Sequence, residues 1–151
     1  MEIFRAGREH LDDLAELFDL YRQFYECEPD LPLARSYLDA RLSRDESVVF
    51  MANEGDESLG FVQLYPSFCS VDAIPILILY DLYVRSSARQ KGVGEALMNR
   101  ATEHARESGA LRLDLLTAKD NFPGQALYEK LGYERSNEGF YSYSLELPPG
   151  T

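Results

Sequence analysis

Arg85, Arg89 and Lys91 put three positive charges within seven residues that contain no acid, in a chain of 151 residues whose formal net charge is −11. Gly92-Val93-Gly94 follows directly. The apolar residues Leu97, Met98, Ala101 and Ala105 then recur with a helical period, so the glycines sit at a helix N-terminus. Backbone N–H groups there lack intrahelical partners and can bind an anion. Glycine at 92 and 94 removes Cβ atoms that would hold an anion away, and permits the positive φ of an anion-binding turn. A basic turn that merely precedes a helix is the plainer alternative for this segment taken alone. The dinucleotide pattern G-x-G-x-x-G fails because Leu97 stands at the third glycine's place, and the phosphate loop G-x-x-x-x-G-K-[ST] has no match.

A second cluster lies downstream. Asn121 is followed seven residues later by Tyr128, within Ala126-Leu127-Tyr128-Glu129-Lys130-Leu131-Gly132-Tyr133. With both clusters in hand, the sequence resembles the GNAT family of N-acetyltransferases. That family joins an Arg/Gln-x-x-Gly-x-Gly/Ala loop to an Asn and a Tyr-x-x-x-Gly-Phe/Tyr ending. The resemblance covers nearly the whole chain and implies the GNAT fold, with acetyl-CoA as acyl donor and no metal.

Carried over residue by residue, the resemblance makes Arg89, Gln90, Lys91, Gly92, Val93, Gly94 and Glu95 the loop that cradles the pyrophosphate of acetyl-CoA. Leu82, Tyr83 and Val84 would bind the pantetheine arm and thioester carbonyl through backbone groups that a splayed strand leaves unpaired. Asn121 matches a contact to the cofactor arm, and Tyr128 matches the general acid that protonates the leaving sulfur. A phenol with an ordinary pKa of about 10 carries its proton at neutral pH and suits that role. Transfer is expected to be direct, with a neutral amine attacking the thioester and no covalent enzyme intermediate.

The amine must first lose a proton, and Asp81 is the candidate base. Strand alternation puts it on the face of Tyr83, which leaves a structural or water-holding role equally open. Polyamine-acetylating members of the family carry a glutamate where this chain has Tyr80, a departure that bears on both the base and a polyamine acceptor. Residues 8 to 30 hold eight acids against two bases. Glu26 and Glu28 are therefore candidates for holding a cationic acceptor, with Tyr65 and Phe68 as an aromatic wall, against the alternative of a solvated acidic face. Cys27 and Cys69 have no neighbouring histidine in sequence and read as bystanders; His10 and His104 are assigned no role.

Periodicity supplies the elements that must position these groups. Residues 3 to 5 read as a short strand. Leu11, Leu14, Phe18, Tyr21 and Phe24 or Tyr25 share a helical face that ends near Cys27, and Leu33, Tyr37, Leu38 and Leu42 restart the pattern beyond Pro29 and Pro32. Residues 48–51 and 60–65 form a hairpin, residues 66–70 a loop, and residues 74–84 the central strand. A helix from Val93 to Ser108-Gly109, a buried strand over 111–116, a short helix from Asn121 to Leu131 and a last strand over 140–147 complete the chain. This order predicts one α/β domain spanning 1–151, with a mixed sheet, about four helices and two strand-helix-strand crossovers.

Composition narrows the function classes further. A hydrophobic content of 45% allows a core without staples, and two cysteines cannot build a disulfide framework. The acidic balance disfavours nucleic acid. No apolar run approaches a membrane span, and no signal segment opens the chain, so a soluble cytoplasmic protein is expected. Dimerisation is common in similar proteins, and the Tyr-rich stretch 140–147 is the candidate edge. The leading expectation is an acetyl-CoA-dependent N-acetyltransferase acting on a small cationic molecule or an exposed protein amine. The alternative is an acyl-CoA-binding sensor that transfers nothing.

Overall fold

The computed structural model describes residues 1–150, which divide into two units, Met1–Leu116 and a second beginning at Thr117. In the first, strand β1 (Glu2–Arg5) leads through a 3-10 turn into helices α1 (Leu11–Phe24) and α2 (Leu31–Ser43). Strands β2 (Val48–Glu54), β3 (Glu57–Cys69) and β4 (Ile74–Val84), helix α3 (Val93–Ser108) and strand β5 (Leu113–Asp114) follow. The second unit contains helix α4 (Phe122–Lys130). The sheet runs β1-β2-β3-β4-β5, antiparallel except for the parallel β4–β5 pair that α3 connects. It is the mixed α/β sheet that the order of elements predicts.

Helix ends follow local chemistry. The Asp30 carboxylate accepts from the Leu33 N–H at 3.1 Å and caps α2, and Pro32 falls in the first turn, where a missing N–H costs nothing. Gly109 ends α3 with φ 83°, a left-handed position that other residues adopt only at a cost. In the second unit Asn121 caps α4 by accepting from the Gly124 N–H at 3.2 Å.

Alternation along the strands sorts the core into two layers. Val49, Met51 and Phe61 pack with Leu14, Leu17, Phe18 and Leu38 of α1 and α2. Phe50 faces the opposite way and meets His104 of α3 edge-on at 5.6 Å. Because both sheet faces are covered, the middle strands read as apolar runs rather than as alternation.

Several expectations are corrected. Residues 66–69 continue β3 instead of forming a loop, pairing with residues 74–77. Pro66 is tolerated because β2 stops at the Val48–Leu64 pair, leaving no neighbour there that needs its N–H. The middle of the sheet is β3, with β4 beside it. The strand expected over 111–116 shrinks to two residues. Leu111 and Leu116 are exposed because β5 is the last strand in the sheet order. The strand expected over 140–147 is absent among the described residues, where Phe140, Tyr141, Tyr143, Leu145 and Leu147 are exposed. An alternating apolar pattern without a partner strand has no ladder to join. One crossover therefore forms where two were expected.

Gly60 sets how closely β3 approaches the end of β4. A Cβ added there would lie 2.5 Å from the carbonyl oxygen of Tyr83. Gly60→Ala should lower stability by about 1–3 kcal/mol, seen as a reduced urea midpoint with an unchanged m-value.

Candidate active site

The turn between β4 and α3 is built to leave a helix N-terminus open. After a 3-10 turn over Ser86–Ala88, Gln90 and Gly92 take φ values of 63° and 81°. Gly92 is the N-cap, no side chain caps the first turn, and the first intrahelical bond is Ala96 N–H to Gly92 C=O at 3.0 Å. Holding the non-glycine Gln90 in the left-handed region costs about 1 kcal/mol or more, a strain that fits a ligand-binding turn. A Cβ at Gly92 would meet nothing within 4 Å, so open space stands over the turn.

Of the three cations beside it, Arg85 is engaged in the fold. It donates to the Ser58 carbonyl and hydroxyl and pairs with Glu16 at 3.1 Å. Arg89 donates to the Val84 carbonyl at 2.9 Å and lies over the rings of Phe24 and Tyr83. Lys91 is exposed, with no hydrogen bond or ion pair among the described residues. An uncapped helix start, open space and an available ammonium suit a diphosphate.

β4 carries the second feature. It pairs with β3 from Ile74 to Val84, but with β5 only at Leu77 and Ile78. From Leu79 to Val84 its other edge has no strand partner among the described residues. Leu82, Tyr83 and Val84 lie in that stretch.

The third is a cavity of about 530 Å³ within the first unit, whose lining includes Tyr21, Arg22, Tyr25, Tyr65, Tyr80 and Asp81. The β3–β4 register shifts so that Gln63 opposes Asp81 while Leu64 opposes Leu79, leaving Tyr80 as an extra residue. This bulge lets two consecutive side chains, Tyr80 and Asp81, line one cavity that regular alternation would divide between faces. Tyr65 and Tyr80 meet edge-on at 5.5 Å, and Tyr21 and Tyr25 at 5.2 Å.

Asp81 is only 4% exposed. Ser47 donates to Gln63 Oε1 at 2.8 Å, which orients the amide so that Gln63 Nε2 donates to Asp81 Oδ2 at 2.6 Å. Burial pushes the Asp81 carboxyl above its ordinary range, opposed by hydrogen bonds from Gln63 and Tyr21. Burial and the Asp81 charge together push the Tyr21 phenol up. A carboxylate of raised basicity facing an aromatic cavity can accept a proton from a bound cation.

The first unit thus contains the turn and the β4 edge without a strand partner, and brings Asp81 and Tyr65 together in one cavity. Asp81 shares the α1 side with Tyr83 and turns into the cavity. Phe68 is 79% exposed and lies outside the lining, as do the exposed Glu26 and Glu28. Asn121 and Tyr128 belong to the second unit, where Asn121 caps α4 and also donates to Thr117 at 3.0 Å. Tyr128 lies 6.1 Å from Tyr133, ring to ring. Sequence reasoning missed Tyr21, Arg22, Tyr25, Gln63 and Tyr80. The Tyr21/Tyr25 pair sits at i, i+4 on the stripe read as core, whereas Gln63 carries no sequence signal.

Among the described residues no group of His, Cys, Asp or Glu is placed to hold a metal ion, and no helix is long and apolar enough to cross a membrane. Residues 14–133 match the Acetyltransferase (GNAT) family. The chain is 43% identical to the uncharacterized N-acetyltransferase YhfO of Bacillus subtilis, over 98% of this chain and 99% of that protein. A probable acetyltransferase of Haemophilus influenzae is 30% identical over 96% and 99% of the two chains. The crystal structure of a probable acetyltransferase superposes with a TM-score of 0.88 at 40% identity, covering 99% of this chain and all of that one.

Burial of Asp81 has a measurable sign. The folded carboxyl holds its proton to higher pH than the unfolded one, so stability is lost as pH rises through that interval. Asp81→Asn removes the loss. The Tm difference, variant minus parent, should grow from about pH 4 upward and level off once the carboxyl is ionised in both states. A difference independent of pH would contradict the desolvation.

Proposed function

Because this chain belongs to the Acetyltransferase (GNAT) family and is an N-acetyltransferase, we propose that residues 1–151 act as one domain moving an acetyl group from acetyl-CoA directly to a primary amine. The observation that carries this reading is the open start of α3, reached by a short turn from the end of β4, whose β5-side edge has no strand partner beyond Ile78 among the described residues. Both features call for a ligand with an anionic group and an extended polar arm, and acetyl-CoA has both.

Acetyl-CoA, when bound, supplies an activated thioester. Amides of Gly92, Val93, Gly94 and Glu95 hold the diphosphate, aided by Gln90 and by the charges of Arg89 and Lys91. Backbone groups of Leu82, Tyr83 and Val84 pair with the pantetheine arm, and an N–H of this stretch faces the oxygen on which negative charge develops. Asp81 takes the proton that the acceptor ammonium must lose, so that the freed nitrogen pair can attack. The C–N bond forms as the C–S bond breaks, Tyr128 gives its proton to the departing sulfur, and the second proton lost by the nitrogen as it becomes the amide returns the phenolate to the phenol, directly or through water. Asn121 contacts the cofactor arm. The roles of Asn121 and Tyr128 rest on the match to the family pattern. Tyr65 walls the acceptor, while Glu26, Glu28 and Phe68 contribute charge and surface to its approach. The reading includes a cytoplasmic location and a homodimer, the latter tested by light scattering on the purified chain.

Acetyl-CoA should raise the Tm of the protein, and Gly92→Val should abolish that rise while also lowering the unliganded Tm, because a β-branched residue is strained at φ 81°. No rise at millimolar acetyl-CoA would remove the proposal. Tyr128→Phe should lower kcat by about 10²–10⁴ and keep acetyl-CoA affinity. Asp81→Asn should also lose about 10²–10⁴ in kcat/KM, and in the parent enzyme activity should climb with pH as Asp81 ionises.

A further inference from the structure

The acceptor cavity holds two side chains of opposite charge, and only one is explained by proton transfer. Asp81 is nearly buried at the strand bulge, and Arg22 is half-buried on α1. Arg22 has no hydrogen bond or ion pair through its guanidinium among the described residues. Arg5, Arg44, Arg106 and Arg135 are also unpaired, but all four are exposed to water, whereas Arg22 is half-buried at the cavity wall. Arg8, Arg35, Arg41 and Arg85 each bind a carboxylate at 2.8–3.1 Å. The natural helical partner of Arg22 is Glu26, four residues on. α1 ends at Phe24, however, and Glu26 turns away with φ 65°. The turn that ends the helix therefore leaves a guanidinium at the cavity wall unmatched.

A guanidinium fork is a receptor for a planar anion, carboxylate above all. Tyr21, Tyr25, Tyr65 and Tyr80 supply ring surface in the same cavity, which suits a short hydrocarbon chain. We propose that the acceptor is a small amine that also carries a carboxylate, its ammonium directed to Asp81, its carboxylate to Arg22 and its carbon chain against the tyrosines. A diamine would set a second ammonium against Arg22, and an alkylamine with no second charged group would leave the guanidinium desolvated without a partner. The proposal rests on the acetyl-transfer reading for its chemistry and on the cavity alone for its specificity.

The test compares δ-aminovalerate, cadaverine and n-pentylamine, first as ligands by calorimetry on the full chain without donor, then as acceptors with acetyl-CoA, following thiol release. The amino carboxylate should bind about 10- to 100-fold more tightly than the other two, and its kcat/KM should exceed theirs by a similar factor. Arg22→Gln should remove the preference through KM with kcat kept, Arg22→Lys should restore part of it, and Arg22→Glu should turn it toward cadaverine. Equal binding of all three amines, or a preference that Arg22→Gln leaves in place, overturns the proposal. Selective binding of δ-aminovalerate without thiol release upholds the specificity and refutes the transfer chemistry, so the two failures are distinct.

Discussion

The partial pairing of β4 is the constraint on which the rest of the architecture turns. A strand paired on one side from Ile74 to Val84 except at the Tyr80 bulge, and on the other with a strand only at Leu77 and Ile78 among the described residues, keeps peptide groups of its outer edge available in a folded protein. Such groups must meet water or a ligand, because leaving them buried and unpaired costs several kcal/mol. The surrounding features make sense as ways of holding that row in place. Gly60 lets β3 press against the Tyr83 carbonyl, Arg89 ties the Val84 carbonyl to the turn, and Arg85 anchors the strand end to Ser58 and Glu16.

The same strand solves a second problem. A carboxylate in a cavity of aromatic rings is expensive to ionise, and the fold offsets this with a directed chain from Ser47 through Gln63 to Asp81, joined by the Tyr21 phenol. The Ser47 hydroxyl matters because it settles which end of the Gln63 amide donates. Moving Asp81 into the cavity requires the bulge at Tyr80, which adds a tyrosine to the lining by the same displacement. Charge and aromatic surface therefore arrive together from one irregularity in a ladder.

Much of the fold was legible in advance. The stripe from Leu11 to Phe24, the cap at Asn121 and the terminator Gly109 depend on interactions within a few residues, so the letters carry them. Strand lengths were less legible. Residues 66–69 look like a loop until their partners at 74–77 are known, and 140–147 has the alternation of a strand without a partner to pair with. Pairing joins distant segments, and no local pattern reports whether the other half is present.

The sequence by itself determined the anion-ready turn at 89–95, the acid-rich character of the chain and the candidacy of Asp81, because helix starts, charge balance and residue type are local or summed properties. Only tertiary structure decided that Tyr21, Arg22, Tyr25, Tyr65 and Tyr80 share a cavity with that carboxylate, and that Glu26, Glu28 and Phe68 stand outside it. Those facts depend on one extra residue in the β3–β4 ladder and on where α1 stops against the sheet. Both are settled by packing between separate segments, Gln63 and Asp81 being 18 residues apart and Tyr21 and Tyr80 59 apart, where a one-residue change of register changes which face every side chain serves.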